Sequence, residues 1–160
     1  MENRPGARVG MNRREVRLNS KFRTTLILVI WTLWLTGMLL FIFPVSITDF
    51  NSLAAKLSPS LLAAHGSLAY LFLILFGYLL AEHIPTGLLG VKNKKSGIGL
   101  ISFITLLTIS GLALYYSGGE WMRDKVVLVH TFVGVVFPLL FVWHYRGRTK
   151  ARLARKALSP

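Results

Sequence analysis

The sequence predicts an all-α membrane protein, a four-transmembrane-helix up-down-up-down bundle with both termini cytoplasmic. Three observations predict it. The 160-residue chain is 53% apolar, well above an ordinary soluble domain. Its apolar residues gather in four runs, 24–43, 61–81, 98–116 and 126–145. Each run is about 20 residues, so about 30 Å as a helix, which matches the hydrocarbon thickness of a bilayer. Finally, the charge is one-sided.

Of the 19 Lys and Arg, seven precede the first run: Arg4, Arg8, Arg13, Arg14, Arg17, Lys21 and Arg23. Lys92, Lys94 and Lys95 fall in the second connection, and six more follow the last run, from Arg146 to Lys156. With alternating spans these 16 share one side, leaving Lys56, Arg123 and Lys125 on the other. The positive-inside rule puts the rich side in the cytoplasm. The expected organisation is a basic cytoplasmic tail (1–23), a membrane domain (24–145) and a second basic tail (146–160). A bacterial cytoplasmic (inner) membrane is the expected location.

The elements follow in order. The first run is too long for a signal-peptide core and lacks a small-residue cleavage site after it, so it is read as retained. Pro44 follows it. Ser58-Pro59-Ser60 supplies a cap region for the second helix, and Ile84-Pro85-Thr86-Gly87 stops it, because the residue before proline avoids the helical region. Gly118-Gly119 breaks the third helix from the fourth. Trp31, Trp34, Trp121, Trp143 and Tyr145 supply interfacial anchors.

The net charge of +13 invites a nucleic-acid reading. Such binding wants basic residues interleaved with base-stacking aromatics, and neither tail holds Trp or Tyr. Nucleic acid is therefore not an expected partner; anionic membrane lipid is. The absence of cysteine excludes disulfides, iron–sulfur ligation and covalent haem attachment through Cys-x-x-Cys-His.

All four histidines sit on the second and fourth helices. His65 and His83 are 18 residues apart, five whole helical turns; His130 and His144 are 14 apart, 40° short of four turns. Each helix thus presents two imidazoles on one face, near opposite ends. In an up-down bundle these helices are parallel and diagonal, so His65 pairs with His130 and His83 with His144. That arrangement suits two non-covalent, bis-histidine haem b groups, one above the other. The face also repeats: Ala69, Phe72 and Phe76 follow His65 at the intervals at which Gly134, Phe137 and Phe141 follow His130. A small residue one turn from a ligand leaves room for a porphyrin. Zinc is a poorer match, since it wants three or four donors.

The layout resembles the four-helix di-haem core of the cytochrome b family, over roughly residues 24–146. In that family the second and fourth helices each supply two histidines, and the spacing of His130 and His144 matches its ligand spacing. Helix two departs from the pattern, which puts the second ligand at Leu79; the histidine here comes four residues later, at His83. A tilt, a kink at Pro138 or unwinding before Pro85 is expected to absorb that extra turn. Gly37 and Gly111 share an outer-half depth and are expected to flank the outer haem, or else to serve ordinary helix packing. Propionates seek Arg123 or Lys125 outside, and Arg146 or Arg148 inside. The resemblance implies electron transfer across the membrane, between quinone or quinol as substrate and a redox partner protein. Two other classes stay open: a cofactor-free membrane scaffold or assembly protein, and a stand-alone haem oxidoreductase for a small diffusible substrate.

Overall fold

The computed structural model describes residues 19–44, 52–85 and 94–157, with side chains to Gly147. The tail before residue 19, Lys92, and the side chains of Arg148 and beyond lie outside the description. Every regular element is an α-helix: α1 Ser20–Ile42, α2 Leu53–Glu82, α3 Lys94–Tyr116 and α4 Glu120–Ala157. All four are long and apolar enough to cross a membrane. Large apolar side chains such as Ile74, Leu139 and Phe132 face outward, as lipid contact requires.

Each boundary has a local cause. At α1, the Asn19 side chain accepts from the Lys21 N–H at 3.0 Å, satisfying one of the free donors of a helix start. At α2 the cap is Ser52, whose Oγ accepts from the Ala55 N–H at 3.1 Å. This corrects the expectation of a cap at Ser58-Pro59-Ser60, which lies well inside the helix. A proline there deletes one ladder bond only, and Ser58 is 1% exposed, buried against protein rather than free to cap. The far end holds its geometry: His83, the C-cap, has φ −95 and ψ −40. Its N–H bonds the Leu79 carbonyl at 2.9 Å. No unwinding before Pro85 takes back the extra turn.

The helix α4 is 38 residues long and carries Pro138 within it. It therefore runs through the expected boundary at 146 to Ala157. Charge ends the apolar run there, but Arg, Lys and Ala are strong helix formers, so the helix continues past the membrane-length segment.

Packing is uneven. α1 lies against α2 and α4, and α3 lies against α4. Residue pairs that touch across α1–α2 and across α3–α4 rise on one helix as they fall on the other, as antiparallel neighbours do. Among the described residues no Cα of α2 comes within 8 Å of α3 or α4. Only side chains cross that gap, such as the Tyr115 hydroxyl, 3.2 Å from the Cβ position of Gly66. A thin core of Leu26, Val29, Ile30, Phe72, Ile104 and Phe137 holds the centre. Phe72 and Phe137 are the matched positions of the repeated face.

Candidate functional site

The gap between α2 and α4 is bridged by two imidazoles. His65 and His130 have ring centroids 6.4 Å apart, with planes at 81°. A metal–imidazole bond is about 2.0–2.1 Å. Two rings bound to one ion along a common axis, each centroid about 1.1 Å behind its nitrogen, stand about 6.3 Å apart. The observed centroid separation of 6.4 Å is wide enough for one metal ion between the two rings.

Each ring is steered from the helix beside it. Thr36 Oγ1 on α1 lies 3.0 Å from His65 Nδ1, and Ser110 Oγ on α3 lies 2.9 Å from His130 Nδ1. The hydroxyl hydrogens are committed elsewhere: Thr36 donates to the Leu33 carbonyl at 2.9 Å and Ser110 to the Leu106 carbonyl at 2.7 Å. A hydroxyl whose proton is spent on a carbonyl offers the imidazole a lone pair. The hydrogen-bond network therefore assigns the proton to Nδ1 on both rings and leaves Nε2 with its lone pair, the form that ligates metal.

A glycine follows each hydroxyl and lets the ring lie against the backbone. A Cβ on Gly37 would stand 3.1 Å from His65 Cε1, and one on Gly111 would stand 3.4 Å from His130 Cε1. At the other end of α4 the unit repeats. Ser96 Oγ is 3.0 Å from His144 Nδ1, and a Cβ on Gly97 would meet His144 Cε1 at 3.7 Å. Thr36, Ser96 and Ser110 are all buried; the remaining buried polar side chain among the described residues is Ser58.

Thus His65, His130, Gly37 and Gly111 come together in one cluster, and His144 lies with Ser96 and Gly97 in another. His83 is half-buried at the end of α2. Ala69 is half-buried, and a Cβ on Gly134 would meet Leu107 at an ordinary 3.8 Å. Arg123 is exposed near the start of α4, seven residues before His130 and on the same helical face. Arg146 is two residues past His144 and 200° around the helix, in a shallow groove with Trp31 and Trp143.

Thr36, Ser96, Ser110 and Gly97 were not singled out from the sequence. A signal exists: of the chain's five hydroxyl–glycine dipeptides, Thr36-Gly37, Ser96-Gly97 and Ser110-Gly111 lie inside helices, with the last two 14 residues apart like the histidines they face. Among the described residues no three His, Asp or Glu side chains cluster as a metal cage would need. Comparison with family models, curated proteins and solved structures gives no match.

Proposed function

We propose that this protein is a haem b electron carrier of the membrane, binding one haem between His65 and His130 and a second at the level of His144. The observation that carries the reading is the His65–His130 pair: two ring centroids 6.4 Å apart, on helices with no Cα–Cα approach within 8 Å among the described residues. Haem fits this donor set. The macrocycle supplies four nitrogens of its own, so two imidazoles complete the iron where zinc would lack ligands. Bound haem supplies one-electron chemistry.

The chain's own residues supply the rest. Thr36 and Ser110 fix the rotamer and tautomer of the two ligands, and hydrogen bonds of this kind tune basicity and potential. Gly37 and Gly111 let the rings sit against α1 and α3. Arg123, two turns outward of His130, is placed to pair with a propionate. The 14-residue interval on α4 sets the second site about 21 Å along the axis, so the two sites form a relay across the bilayer.

In this reading the helices alternate in direction and both termini face the cytoplasm of a bacterium, as the one-sided Lys and Arg favour. The likeness to the cytochrome b layout supports quinone or quinol at one end and a redox partner protein at the other, because the short loops have no room for a further cofactor.

The test is a dithionite-reduced minus oxidised spectrum of detergent-purified protein made with ample haem. A low-spin b-type spectrum that loses its outer-haem component in the His65→Ala, His130→Ala double variant is expected. A colourless protein whose stability ignores both substitutions would instead favour the scaffold class.

A further inference from the structure

Seven residues of α-helix fall within about 20° of two whole turns, so positions seven apart share a face. The inward line of α2 read at that interval is Ser58, His65, Phe72, and that of α4 is Arg123, His130, Phe137. The two lines are in register at two levels. The His65 and His130 rings are 6.4 Å apart, and Phe72 and Phe137 belong to one buried cluster. Ser58 and Arg123 are therefore the matched positions one step toward the helix starts, about 10.5 Å along each axis from the histidines.

Ser58 is out of character for its place. It is 1% exposed, although Lys56, Leu57, Pro59 and Ser60 around it are all exposed. Its Oγ is buried and has no hydrogen-bond partner among the described residues. Hydroxyls in membrane helices usually return to a carbonyl of the preceding turn, as those of Thr32, Thr108 and Ser117 do here. A hydroxyl withdrawn from water and given no acceptor is costly. Its position on the ligand line supplies the reason: it is a donor held for a group that lies between α2 and α4. Across the gap, exposed Arg123 brings a positive charge to the matching position, so the group these two face is anionic.

We propose that Ser58 is a haem-anchoring residue: its hydroxyl donates to one propionate carboxylate of the haem between His65 and His130, while Arg123 pairs with the other. The inference rests on the haem reading above and adds the direction in which that haem faces, carboxylates toward the starts of α2 and α4. The chemistry of the two lines selects this direction. One step the other way stand Phe72 and Phe137, which offer no donor and suit the methyl and vinyl edge of the macrocycle. That edge turned toward Ser58 would leave its hydroxyl unsatisfied, whereas a carboxylate accepts a charge-assisted bond, the stronger kind. The hydroxyl at position 58 is thus a burden on the haem-free fold and an asset to the loaded one.

The experiment compares the wild type, Ser58→Ala and Arg123→Gln as detergent-purified full chains, each loaded with protohaem and with protohaem dimethyl ester, whose carboxylates are capped. Release of the outer haem to apomyoglobin is followed on the spectral component that His130→Ala lacks, and thermal unfolding of the haem-free chain is recorded beside it. Ser58→Ala should release protohaem about tenfold faster than wild type. Arg123→Gln should release it about threefold faster, and by less at high salt, because the guanidinium is exposed. With the diester both differences should largely vanish. Without haem, Ser58→Ala should be at least as stable as wild type, since it removes a buried hydroxyl that has no partner. Release of protohaem at the wild-type rate from Ser58→Ala would overturn the proposal and leave the His65–His130 site standing. So would equal acceleration for protohaem and its diester, or a haem-free Ser58→Ala less stable than wild type, either of which marks a packing role. A chain that takes up no haem would overturn the haem reading together with the proposal.

Discussion

The two helical hairpins are built from the same kinds of residue but not to the same plan. The α3–α4 hairpin repeats one device twice: Ser96-Gly97 holds His144, and Ser110-Gly111 holds His130. The α1–α2 hairpin uses it once, at Thr36-Gly37 and His65, and fills the corresponding lower corner with Phe22 and Leu79. Both hairpins satisfy the bilayer equally, since leucine and phenylalanine suit lipid as well as any ligand-bearing face. What differs is position-specific. A buried hydroxyl to take the Nδ1 proton and a glycine beneath the ring are present or absent corner by corner. The difference teaches that a histidine on a membrane helix is a ligand candidate to the degree that the neighbouring helix is shaped to hold it.

The comparison breaks most sharply at the ligands. Replacing His65 or His130 by Ala should remove the outer haem altogether, seen as a fall from two haems to one in the haemochrome count, with the His144-dependent signal intact. Next come the glycines, whose contacts grade the expected damage. A Cβ at Gly37 meets His65 at 3.1 Å, at Gly111 meets His130 at 3.4 Å, and at Gly97 meets His144 at 3.7 Å. Overpacking a tight site costs about 1–3 kcal/mol. Gly37→Ala should thus weaken haem retention about tenfold or more, Gly111→Ala by less, and Gly97→Ala by about twofold at most, measured as haem transfer to apomyoglobin.

Thr36→Val and Ser110→Ala test the hydrogen bonds rather than the space. Loss of such a partner costs about 10–100-fold in metal affinity, so both should lower haem occupancy and move the outer midpoint potential, while Thr36→Ser preserves both. Smallest is the cap at α2. Ser52→Ala should cost about 1 kcal/mol of stability in thermal unfolding with haem content unchanged, whereas Ser60→Ala, in the segment first read as the cap, should do nothing measurable.

Much of this was legible in the sequence. The four spans are plain from their apolar runs, and the histidine spacing and the outer-half glycines single out His65, His130, Gly37 and Gly111. The hydroxyls were not, for a physical reason. Serine and threonine in membrane helices usually bond a carbonyl of the preceding turn, as Thr32 and Thr108 do here. Only the register between neighbouring helices shows that Thr36 and Ser110 bond a carbonyl and a histidine at once. The start of α2 was misplaced because two serine segments precede its apolar run and both carry cap chemistry; burial of Ser58 decides between them. The end of α4 was misplaced because hydropathy marks the limit of the lipid-facing segment, not of the helix.

The central claim is that His65 and His130 are the two axial ligands of one iron. Near-infrared magnetic circular dichroism of the oxidised protein tests it most directly, because the charge-transfer band of a low-spin haem reports the pair of axial ligands. A bis-imidazole band is predicted in the wild type, and its outer-haem component is absent from His130→Ala. A wild-type protein with no such band, or one whose band survives His130→Ala unchanged, would contradict it.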